Sequence, residues 1–157
     1  IIVDSSSSIT KEEAKKLGII LLPLIITING KDYRDGVDIT PSEYFKNIKI
    51  NDEIRTSATS IGIIEETLKK ASEKFDHVIV YPLSTKLSSQ NQNIQLISKN
   101  FDNVHVLNSH GVGLAIKSDV LNIKKFYKTE KNIHKIVEYS QSITNKQFGI
   151  LIPSQLD

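Results

Sequence analysis

Leu83-Ser84-Thr85-Lys86-Leu87-Ser88-Ser89-Gln90-Asn91 decides how this chain reads. An apolar run from His77 to Leu83, broken near its end by Pro82, leads into it. A segment with apolar residues at helical spacing (Ile94, Ile97, Phe101) follows. The stretch is therefore the turn at which a buried strand hands over to a helix, and it is lined with hydroxyls and amides. In open α/β sheets ligands bind at such strand ends.

The same grammar recurs on both sides. Upstream, Ile1-Ile2-Val3 stops at Asp4-Ser5-Ser6-Ser7-Ser8, and Thr10 caps a short helix over Lys11–Leu17 that Gly18 ends. Ile19 to Ile28 is apolar and broken at Pro23, and Asn29-Gly30 then marks a β-hairpin, because both residues accept positive φ. Thr40-Pro41-Ser42-Glu43 is a capping box opening a helix to about Ile48, expected to bury Tyr44, Phe45 and Ile48. Lys49 to Ser60 reads as polar and irregular. Ile61, Ile64, Leu68, Ala71 and Phe75 then form a helical stripe. Downstream, Val104–Leu107 is a strand ending at Asn108-Ser109-His110-Gly111. Two helices follow, striped by Val112, Ile116, Val120, Ile123 and Tyr127 and by Ile133, Ile136, Val137, Ser140 and Ile143. Phe148–Ile152 reads as a last strand stopped by Pro153. Strands alternating with helices predict an α/β fold: a mostly parallel sheet with helices on both faces, and a projecting hairpin.

Composition bounds the rest. The 157 residues suit one domain, 39% hydrophobic and 24% charged is ordinary for a globular protein, and the net charge is +2 with no dense basic cluster. No nucleic-acid partner is expected. The lack of cysteine removes disulfides, thiol catalysis and thiolate zinc sites. No run of about 18 apolar residues predicts membrane insertion, and a cytoplasmic location is the default. The chain opens inside a strand and carries no methionine, so the natural start is expected upstream.

Three predicted strands end in Asp4-Ser5-Ser6, Ser84-Thr85 and Asn108-Ser109, which a parallel sheet lines up along one edge facing helix N-termini. Hydroxyls and free N–H groups, with few carboxylates, suit an anion such as a carboxylate or phosphate. Each such residue alone is an ordinary cap; their recurrence at one edge carries the functional reading. An enzymatic alternative, a hydrolase or phosphotransferase using Asp4 or Ser88, lacks its supporting parts. There is no Gly-x-Ser-x-Gly elbow, no histidine at a motif spacing and no glycine-rich phosphate loop. Asp4, Asp35, Asp38 and Asp102 form no metal pattern. Asp4 also has an ordinary role, as a turn aspartate bonded to the next N–H groups. His77 and His105 sit in strands as packed imidazoles, while His110 follows a strand and can reach the site edge.

These pieces, taken in order, resemble the DegV family of bacterial fatty-acid-binding proteins. Ile2-Val3-Asp4-Ser5-Ser6 is similar to the family's opening strand. Leu22-Pro23-Leu24 and Asn29 to Thr40, with Tyr33-Arg34-Asp35-Gly36-Val37-Asp38-Ile39, resemble its Pro-Leu and Tyr-x-Asp-Gly-x-Asp-Ile segments. Thr56-Ser57-Ala58-Thr59-Ser60 is similar to Thr-Ser-Gln-Pro-Ser. Leu83-Ser84 and Leu87-Ser88-Ser89 resemble Leu-Ser…Leu-Ser-Gly-Thr, and Asn108-Ser109 falls where the family has Asp-Ser. The resemblance implies a long-chain fatty acid such as palmitate, its carboxylate held by Thr56 and Ser88, with Ser57 and Ser89 in supporting roles. Asp4, Ser5, Asn108 and Ser109 shape the rim. It further implies no cofactor, no catalytic residue and no metal, and a separate fatty acid kinase subunit that phosphorylates the presented acid. Residues 1–146 are expected to form the DegV-like lipid-binding domain and 147–157 to begin a second domain whose remainder lies outside this chain. A first domain alone leaves its acyl groove half open as an exposed apolar patch. The departures are Ala58-Thr59 for Gln-Pro, Ser89 for Gly, Asn108 for Asp and a short loop from Ser109 to Gly113.

Overall fold

Alternate residues of a strand point to opposite faces, so a sheet buried on both sides needs apolar residues at every position. The strands β1 (Ile2–Asp4) and β6 (Val78–Tyr81) meet that demand up to the last residue of β1, Asp4, and every residue in them is buried. A computed structural model, described here for residues 1–148, shows how they are used.

In chain order the elements are β1, a 3-10 turn at Ser5–Ser7, α1 (Lys11–Leu17), β2 (Ile20–Leu22), β3 (Ile25–Ile28), β4 (Lys31–Arg34) and α2 (Pro41–Asn47). Then come β5 (Ile54–Ser57), α3 (Ile61–Lys74), β6, α4 (Gln90–Ser98), β7 (Val104–Val106), α5 (Leu114–Tyr127) and α6 (Ile133–Thr144). β2-β1-β6-β7 form a parallel sheet, with Ile2 opposite both Ile20 and Val80, and Val80 opposite Val106. On one face Val3, Ile79 and Tyr81 pack with Ala14 of α1, Ile116, Val120 and Ile123 of α5, and Ile136 of α6. On the other, Ile2, Leu22, Val78 and Val80 pack with Ile64, Leu68 and Ala71 of α3 and Ile94 and Ile97 of α4. The expected two-sided α/β architecture is what the chain adopts.

The hairpin is present as read. Asn29 and Gly30 both take positive φ, 51° and 79°, and Ile28 faces Lys31 across the turn. One expectation is overturned beside it. The segment read as irregular contains β5, which pairs antiparallel with β3 and places Thr56 opposite Ile26 and Ser57 opposite Ile25. β4-β3-β5 therefore form a second, three-stranded sheet. The α2 capping box forms at Thr40 and Glu43, but the helix buries none of its residues, and Phe45 is 76% exposed. Tyr44 meets Phe45 edge-to-face instead of entering a core. The ends of two apolar stripes, Ile61 and Phe75 on one and Val112 and Tyr127 on the other, are also exposed, because the sheet is shorter than the helices that cover it. The strand expected at Phe148–Ile152 lies, past its first residue, outside the described residues, and so does the second domain expected from residue 147, past its first two.

Candidate functional site

The parallel order brings the ends of β1, β6 and β7 side by side, and their loops are stitched into one rim. Asp4 begins the stitching. Its carboxylate is fully buried and accepts from the Leu83 backbone N–H at 2.6 Å, and from the backbone N–H and hydroxyl of Ser6 at 3.1 and 2.5 Å. Burial pushes its pKa up, against the pull of those donors, and the nearby Asp35 charge adds to the rise. Ser5 Oγ accepts from the Leu24 N–H at 3.1 Å, joining the β2–β3 corner. Across the next gap, Ser84 N–H donates to the Gly111 carbonyl and Thr85 N–H to the Ser109 carbonyl, while Gly113 N–H donates to Ser6. The Asn108 backbone is held at both ends by the Gln141 amide, at 3.0 Å each way, and the His110 N–H donates to Thr144 Oγ1. Helix α6 thus braces the short β7–α5 loop.

Ser88 is half-buried, and its Oγ accepts from the Gln90 N–H at 3.1 Å. That bond uses a lone pair and leaves the hydroxyl proton free to be donated. Ser89 is exposed and stands as the residue before α4 without a side-chain cap bond. Thr56 and Ser57 are exposed on β5. Among the described residues, the hydroxyls of Thr56, Ser57 and Ser89 make no side-chain hydrogen bond to the protein.

What joins the two motifs is a pair that sequence reasoning passed over. The Thr59 N–H donates to Gln90 Oε1 at 2.9 Å, Gln90 Nε2 donates to Thr59 Oγ1 at 2.8 Å, and Thr59 Oγ1 donates to the Pro23 carbonyl at 2.8 Å. Gln90 and Thr59 are essentially buried. Thr56 precedes this joint by three residues and Ser88 by two, so both motif segments are anchored at one point. The available signal was a glutamine at the first turn of a helix, which in isolation reads as a side chain facing solvent.

The rim opens to solvent between exposed apolar residues: Ile61 at the start of α3, Leu87 beside Ser88, and Val112 and Leu114 at the start of α5. A cavity of about 430 Å³ lies elsewhere, at the opposite ends of the strands, lined by Ile2, Ile20, Phe75, His77, Ile123 and Lys131 among others. No helix among the described residues is long and apolar enough to cross a membrane.

Comparison with known proteins agrees with the architecture. A family model described as "Uncharacterised protein, DegV family" matches residues 1–157. A DegV domain-containing protein of Mycoplasmopsis pulmonis is 34% identical over 157 residues, covering 100% of this chain and 54% of that protein. A DegV domain-containing 15.5 kDa protein of Staphylococcus aureus is 31% identical over 124 residues, covering 78% of this chain and 89% of that one. Among solved structures, a fatty-acid-binding DegV family protein from Thermus thermophilus superposes with a TM-score of 0.81 at 25% identity, over 92% of this chain and 52% of that one. DegV from Bacillus subtilis, a fatty acid binding protein, superposes with a TM-score of 0.82 at 21% identity, over 92% of this chain and 52% of that one. The chain thus spans about half the length of several of these relatives. With a family model matched end to end and the fold in agreement, the chain belongs to the DegV family.

Proposed function

We propose that this chain binds a long-chain fatty acid, of the palmitate class, and holds its carboxylate with the Thr56 and Ser88 hydroxyls. Ser57 and Ser89 contribute through hydroxyl or backbone N–H. The observation that carries this reading is the Thr59–Gln90 joint, which anchors the two hydroxyl-bearing segments at one sheet edge. Family membership supports it, since several solved relatives are described as fatty acid binding. An uncharged cradle suits a carboxylate that must be gripped and then passed on. Each donor contributes a charge-assisted hydrogen bond, and the tail contributes about 0.8 kcal/mol for each CH₂ it buries. The exposed Ile61, Leu87, Val112 and Leu114 are the start of a surface for that tail, which a second domain following residue 146 completes.

The binding protein carries out no bond-making itself. It acts in the cytoplasm and offers the acid to a kinase subunit that forms the acyl phosphate. The hydrolase or phosphotransferase alternative is disfavoured by the partners of its two nucleophile candidates. Both Asp4 carboxylate oxygens are taken by donors from Ser6 and Leu83, and Ser88 Oγ is bonded to a backbone N–H, not to a base.

Mass spectrometry of protein denatured straight from purification tests the proposal. A co-released long-chain acid is expected, with retention falling in Thr56→Val combined with Ser88→Ala. Turnover of acyl esters or phosphoesters that disappears in Ser88→Ala would reverse it.

A further inference from the structure

Two of the four histidines, His77 and His105, meet at one corner of the sheet, away from the rim. His105 lies on β7 opposite Ile79, and His77 precedes Ile79 by two residues, so all three share the face that α5 and α6 cover. His105 Nε2 stands 3.4 Å from His77 Nδ1, with ring centroids 5.4 Å apart and planes inclined by 47°. That separation is long for an N–H···N hydrogen bond. It matches another arrangement better. Two imidazole nitrogens bound to one zinc ion at about 2.0–2.1 Å, with a tetrahedral angle between them, stand about 3.3–3.4 Å apart.

We propose that His77 and His105 form a two-imidazole site for a borderline divalent transition ion, of the zinc or nickel class. His77 is exposed, so an ion reaches the pair from solvent. Among the described residues no group of three histidine or acidic side chains is placed to hold a metal. The ion therefore keeps water in its remaining positions, and binding is selective by ligand type: imidazole suits zinc and nickel, whereas magnesium prefers oxygen. The bound ion clips the start of β6 to β7.

Calorimetric titration of the purified protein with zinc chloride, with magnesium chloride as the hard-cation control, tests this. One equivalent of zinc is expected, and His77→Gln or His105→Gln should each weaken it by about tenfold or more, since even loss of an outer partner commonly does so. Substoichiometric nickel should broaden the ring resonances of His77 and His105 before any others, a readout that needs no variant to fold. Zinc binding no tighter than magnesium, affinity unmoved by both substitutions, or broadening centred on other residues would each overturn the site. The corner lies at the opposite end of β6 from Ser88, so the result is independent of fatty acid binding.

Discussion

Gln90 and Thr59 grip each other through two hydrogen bonds although thirty-one positions separate them in sequence. Thr59 is 1% exposed and Gln90 is 0% exposed, so neither has water as an alternative partner. Gln90→Leu keeps the volume and removes both bonds. It leaves the Thr59 N–H buried and unpaired, which costs about 1–3 kcal/mol for each such group. Denaturant unfolding should show a loss of that size, whereas Thr59→Ser, which retains the N–H and the hydroxyl, should stay within about 1 kcal/mol. A Gln90→Leu variant as stable as the parent would show that the joint does not hold the two segments.

Asp4 ties the end of β1 to the loop after β6. Its bond from the Leu83 N–H is short, 2.6 Å, and buried. Asp4→Asn keeps one acceptor oxygen but turns an NH₂ group toward either the Leu83 N–H or the Ser6 donors, setting donor against donor. The expected result is a loss of about 1–3 kcal/mol, together with faster hydrogen exchange at the Leu83 amide. Unchanged exchange there would remove the strap from this account.

Tyr81 reaches from β6 to α5, where its hydroxyl donates to Asp119 Oδ2 at 2.6 Å; Gln147 Nε2 supports Oδ1 at 3.1 Å. Burial, then the bond to Asp119, pushes the phenol far above its usual value, so it is a fixed donor at any ordinary pH. Tyr81→Phe deprives a carboxylate 3% exposed of a donor, and about 1–3 kcal/mol should be lost. In a double-mutant cycle with Asp119→Leu, the two changes together should cost less than their sum. Strict additivity would mean that the bond contributes nothing.

How far these features were legible in the sequence depends on where their causes lie. β1 and β6 announced themselves, because strands buried on both faces are built mainly of apolar residues, and the Thr40–Glu43 box and the Thr10 cap are local chemistry that forms as written. The three polar strand ends were legible for the same reason. β5 was not. Ile54-Arg55-Thr56-Ser57 has one apolar residue, and it becomes a strand only because β3, far upstream, offers an open edge. Phe45 carries a helical pattern, yet it is exposed because nothing among the described residues packs over α2. The Gln90–Thr59 joint was invisible because a buried amide and a surface amide look alike until their partners are known.

The turn that leads from β4 into α2 is held by Arg34 and Asp38. Arg34 Nε and Nη2 each donate to a carboxylate oxygen at 2.8 Å, and the Arg34 backbone N–H adds a third bond at 2.9 Å. The hydrogen bonds from the guanidinium come first, then the backbone donor and the positive charge, and together they hold Asp38 at about 2. In the unfolded chain an aspartate titrates near 3.9. The folded value is therefore the lower one. The contribution to stability is present in full above the unfolded value, declines as the pH falls below it, and is gone once Asp38 protonates in the folded state near 2. A carboxyl carbon NMR titration should place the Asp38 midpoint at about 2. Arg34→Gln should move it upward, stopping short of the unfolded value because the backbone N–H remains. The pair is exposed, so about 1 M salt should also raise the midpoint in the parent protein by screening the charge. A midpoint at the ordinary aspartate value in the parent, indifferent to both salt and Arg34→Gln, would show that the two side chains do not hold this turn.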